Sequence, residues 1–64
     1  MYCVEVRRDG RWTHLTTVRA ESIGGRLESP QRTRQRAERM LSRWLTCYLV
    51  TRGEHAQLRL VPGD

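Results

Sequence analysis

The chain has no lysine, no phenylalanine and no asparagine, and a single isoleucine. With no Phe and only two Trp and two Tyr, it has few bulky side chains from which to build an interior. Sixty-four residues allow one domain at most, 1–64. A chain of this length buries only about 60% of its unfolded surface, so self-association is a natural way to add core. Two cysteines cannot form a disulfide framework. The longest apolar run, 47–50, is far too short to span a bilayer, and no N-terminal apolar run resembles a signal peptide. These absences lead us to expect a cytoplasmic protein with reduced thiols and no membrane contact.

Acid is scarce where base is dense. Arg32, Arg34, Arg36, Arg39, Arg43 and Arg52 face only Glu38 in the stretch 29–52, which therefore carries the whole net charge of +5. The flanking segments, 1–28 and 53–64, sum to +1 and −1 and cancel. All twelve basic residues are arginine. The codons of the missing residues are AT-rich and those of arginine mostly GC-rich. A GC-rich genome therefore accounts for arginine in place of lysine, but not for an excess of base over acid on one element. Physically, the planar guanidinium suits bidentate phosphate contacts and stacking on aromatic rings.

Residues Tyr2–Arg8 alternate, with Tyr2, Val4 and Val6 on one face and Cys3, Glu5 and Arg7 on the other. Asp9-Gly10 is a favoured two-residue hairpin turn, and Arg11–Val18 returns as a second strand. The turn sets a register in which Arg8 faces Arg11, Arg7 faces Trp12, Val6 faces Thr13, Glu5 faces His14, Val4 faces Leu15 and Cys3 faces Thr16. Tyr2, Val4, Val6, Leu15, Thr13 and Thr17 then share one face. Segment 19–28 reads as a loop around Gly24-Gly25, with Ile23 and Leu27 able to pin it to the core.

Ser29 as N-cap and Pro30 at the first helical position predict a helix over 30–51, stopped by Gly53. Ala37, Met40, Leu41, Trp44, Cys47 and Tyr48 fall on its apolar side, and Arg32, Arg36, Arg39 and Arg43 form a stripe on the other. Segment 46–51 is rich in strand-formers. The unbroken apolar spacing 37, 41, 44, 48 favours helix there. A last strand spans 56–61, with Ala56, Leu58 and Leu60 inward. The expected fold is α+β: a two-layer β-β-α-β domain whose three-stranded sheet has order 2-1-3, with one helix packed on one face.

Two surfaces point to an anionic partner. The stripe residues Arg32, Arg36, Arg39 and Arg43, with Arg34 beside them, stand like-charged at i,i+4 in a helix whose first turns disfavour cations. That pattern suits nucleic-acid phosphates, DNA or RNA, more than a solvated face tuned for stability. The open sheet face carries Arg7, Trp12 and His14, where Trp12 can stack on Arg7 or on a base. Leu49 and Val50 lie off the core side as candidate dimer contacts. The alternative is thus a protein-interaction module, either a homodimer or a subunit docking on an acidic protein.

Glu5–His14 lacks a nucleophile motif beside it. Cys3, His14, Cys47 and His55 match no zinc spacing. We therefore expect a non-enzymatic binding module without metal or cofactor.

Overall fold

A computed structural model of the protein describes residues 1–63. Asp9 and Gly10 both adopt positive φ, 52° and 74°. This left-handed pair matches the right-handed twist of the strands it joins, β1 (Tyr2–Arg8) and β2 (Arg11–Val18). The register near the turn is the expected one, from Arg8 opposite Arg11 to Glu5 opposite His14.

Beyond Glu5 the register shifts. Val4 lies opposite Thr16, not Leu15, and Cys3 opposite Thr17, not Thr16. Leu15 is the extra residue of a β-bulge, which puts two residues against one and re-aims all that follow. Thr17 therefore turns to the open face, where its hydroxyl lies 3.2 Å from His14 Nε2 and 3.8 Å from Cys3 Sγ. Val18, opposite Tyr2, turns inward and is buried. Burying Val18 in place of Thr17 is the physical gain from the shift.

Segment 19–28 is more than a loop. It folds into a short hairpin of β3 (Ser22–Ile23) and β4 (Arg26–Leu27), joined by Gly24-Gly25. Ile23 and Leu27 do not pin it to the core, for they are 72% and 73% exposed.

The helix α1 spans Pro30–Arg52. The Ser29 hydroxyl accepts the Arg32 amide at 3.2 Å, satisfying one of the free N–H groups of the first turn. Gly53 closes the helix in the left-handed conformation (φ 62°). Its amide donates to Leu49 C=O at 2.9 Å and that of Glu54 to Tyr48 C=O at 3.2 Å. Residues 46–51 are therefore helical, as the apolar spacing required. The last strand, β5, begins later than expected, at Leu58–Pro62. It pairs antiparallel with β1, giving the sheet order β2-β1-β5. The protein is thus the small α+β domain its patterning implied, with one helix on one face of a three-stranded sheet.

The core is thin. Val4, Val6, Val18, Ala37 and Tyr48 are the buried apolar residues, joined by Thr33. Met40, Leu41 and Trp44 are half-buried, and Cys47, expected inside, is exposed. Tyr48 is sealed by neighbours: Trp44 lies 6.0 Å away, and the Arg8 and Arg52 guanidiniums sit 5.1 and 5.6 Å from its ring. Val6→Ala should cost about 2 kcal/mol, measured by urea denaturation, a large share of the stability of so small a domain. A loss indistinguishable from that of an exposed Thr13→Ala control would contradict this account of the core.

Candidate nucleic-acid interface

Arg36 is set apart from the other stripe arginines. Its Nε donates to Glu28 Oε2 at 2.8 Å and its Nη2 to Glu28 Oε1 at 2.7 Å, a bidentate fork. Nη1 lies 3.2 Å from Glu21 Oε1, and Nη2 also donates to the Arg19 carbonyl. One guanidinium thus holds residues 19, 21 and 28, both stems of the β3–β4 hairpin. Thr33 adds a hydroxyl donor to Glu28 at 2.8 Å, and the Glu21 amide donates to the same carboxylate at 3.3 Å. This network, not Ile23 or Leu27, ties the segment down. Arg36 is a structural clamp, unlike the uncovered phosphate ligand its spacing suggested.

The remaining stripe residues divide by their partners. Arg34 pairs with Glu38 at 3.2 Å, an exposed i,i+4 bridge. Arg32, Arg39 and Arg43 are exposed and have no carboxylate partner among the described residues. The census sharpens the contrast, because all five glutamates are occupied: Glu5 by Arg59, Glu21 and Glu28 by Arg36, Glu38 by Arg34 and Glu54 by Arg8. At 100° per residue, positions 32, 39 and 43 fall within about 40° of one line along the helix. A shallow groove beside that line is lined by Arg36, Arg39, Met40 and Arg43. A second, at the helix N-terminus, is lined by Arg32 and Ser29 together with Ile23, Arg26 and Leu27 of the hairpin and the clamp carboxylates Glu21 and Glu28. Arg26, exposed and sharing this groove with Arg32, is a further cation near the helix N-terminus that helix periodicity could not reveal. The signal available was Gly24-Gly25 set between Ser22-Ile23 and Arg26-Leu27, a two-residue turn that marks a hairpin with Arg26 at the start of its second strand.

The open sheet face is arranged differently from expectation. The partner of Trp12 is Arg59, whose guanidinium carbon lies 4.2 Å from the ring centroid, and not Arg7. Arg59 also donates to Glu5 Oε1 at 2.7 Å, so a Trp12–Arg59–Glu5 network spans the sheet. Trp12 is half-buried by this contact, Arg7 stays exposed, and His14 turns to Thr17 rather than Glu5. Leu49 and Val50 are both exposed, but 100° apart on the helix, with Val50 continuing the arginine line. Among the described residues, no three His, Cys, Asp or Glu side chains group to hold a metal ion. Among the described residues, no helix is long and apolar enough to cross a membrane.

No protein-family model, curated protein or solved structure matches this chain.

The clamp has a pH signature. The Arg36 hydrogen bonds, followed by those of Thr33 and the Glu21 amide, lower the Glu28 carboxyl from its ordinary 4.5 to about 2 against the opposing effect of burial. A carboxyl lowered by folding stabilises the fold fully above pH 4.5 and loses that contribution as pH falls toward 2. Glu28→Gln should therefore lower Tm at neutral pH and flatten the fall of Tm across that acid window. Coincident parent and variant curves would show that the clamp carries no stability.

Proposed function

We propose that this is a small, non-enzymatic nucleic-acid-binding module that grips phosphates along one helix. The observation that carries the reading is the row of Arg32, Arg39 and Arg43, exposed and without carboxylate partners while every glutamate is engaged. Arg32 and Arg43 are eleven residues apart, about 16 Å of helix. Three guanidiniums in line at that length suit a polyanion with regularly spaced charges. Arg26, on the braced hairpin, adds a fourth cation at the N-terminal end. Phosphate contacts of this kind position a protein without reading bases, so sequence preference is weak. Arg36 and Arg34 contribute to the local field but keep their own acids.

The test is fluorescence anisotropy with labelled duplex and single strands of unrelated sequence. Three phosphate contacts give a slope of log K on log salt of about −2.7, and so about a fortyfold loss of duplex affinity between about 50 and 200 mM salt. The triple variant Arg32→Glu, Arg39→Glu, Arg43→Glu should lose binding while keeping the parent's circular dichroism and Tm. Salt-independent affinity, or a folded triple variant that binds like the parent, overturns the proposal.

A further inference from the structure

The molecule exposes more surface than a self-sufficient monomer of its size. Its accessible surface is 5099 Å², whereas a folded monomer of this mass exposes about 4,300 Å². The excess, about 800 Å², is what one partner contributes to a standard protein–protein interface. The radius of gyration is 13.2 Å against about 11 Å for a compact chain of this length, and the smallest dimension is only 13 Å. The cause is the 23-residue helix, covered by the sheet on one flank only.

The uncovered flank has its own pattern. Leu41, Leu45 and Leu49 recur every four residues on one side of α1, the first half-buried and the other two 39% and 45% exposed. Glu38 stands one turn before this row, and Arg52 closes it. The row is self-complementary when reversed. In an antiparallel pair centred on Leu45, that residue meets its own copy, Leu41 meets Leu49, and Glu38 meets Arg52. Arg52 has no carboxylate partner among the described residues, and only one oxygen of Glu38 is engaged, by Arg34.

We propose that this flank binds a second copy of the chain, as an antiparallel two-fold helix pair. Leu41, Leu45 and Leu49 form its apolar seam, and a Glu38–Arg52 pair closes each end. A two-fold axis requires such matching of a surface with itself, and the opposite charges of Glu38 and Arg52 add to it what the even spacing of the leucines alone would not. By helix geometry the seam lies about 90° from the sheet-covered flank and about 140° from the arginine row. Both sheets then lie on one side of the helix pair and both arginine rows on the other. The dimer therefore presents two basic rows on a single face.

Sedimentation equilibrium of the full chain tests this, with a mass of twice 7.6 kDa expected. Leu45→Glu should yield a folded monomer. Should that variant unfold, a charge exchange decides. Glu38→Arg should weaken the dimer about tenfold by opposing like charges, and adding Arg52→Glu should restore it. A parent that stays at 7.6 kDa up to millimolar concentration overturns the proposal. So does a dimer indifferent to Leu45→Glu, or one that the second charge change fails to restore. Since mass is read without nucleic acid, failure here leaves the arginine row untouched, and loss of phosphate binding leaves the dimer untouched.

Discussion

Val4 and Val6 are the largest side chains wholly withdrawn from water among the described residues, and both belong to the central strand. The flank of α1 carrying Ala37 and Tyr48 covers the sheet face on which they stand. Ala37 is fully buried, so at this point helix and sheet meet with no large side chain between them. That contact sets the thickness of the molecule and the rotation of the helix about its axis, and so decides which arginines face water. With no phenylalanine to fill a deeper core, the two layers sit close, and much of the helix is left uncovered. A rotation of one residue, 100°, would put Arg36 or Arg43 toward the sheet and destroy both the clamp and the row.

Charge serves two separate purposes on this one helix. Arg36 acts inward, organising three points of the preceding segment through a carboxylate held ionised far into acid. Arg32, Arg39 and Arg43 act outward. The difference comes from the stems of the hairpin, whose Glu21 and Glu28 pair with Arg36 and with no other arginine among the described residues. Eight of the twelve arginines have no carboxylate partner among the described residues, and three of these, Arg32, Arg39 and Arg43, share one line of the helix. This distribution is a stronger argument than net charge, since net charge alone speaks to solubility and non-specific attraction.

Local signals were legible in the sequence and long-range choices were not. Asp9-Gly10, Ser29-Pro30 and Gly53 each determine geometry within a few residues, and each was realised. The bulge at Leu15 was hidden because the alternation through Thr13, Leu15 and Thr17 is self-consistent. The burial of Val18 favours the shift, and that reward depends on the assembled fold. Ile23 and Leu27 misled for a related reason: apolar character does not by itself mean burial when a local hairpin already satisfies the backbone. The stripe was legible as periodicity. Its division into clamp and row was not, because the partners of Arg36 lie eight to seventeen residues away. Arg59 could have been placed beside Glu5 once β5 was paired with β1, and its stacking on Trp12 follows from that position.

The bulge has a consequence for the borders of the sheet. β2 and β5 are its outer strands, and each has unpaired backbone groups along one side. A flat, regular border of this kind is a template on which further strands add without limit. The extra residue at Leu15 twists one border out of register, and Pro62 removes an amide from the end of the other. Neither border is therefore a clean ladder, which guards a thinly cored chain against open-ended fibril growth.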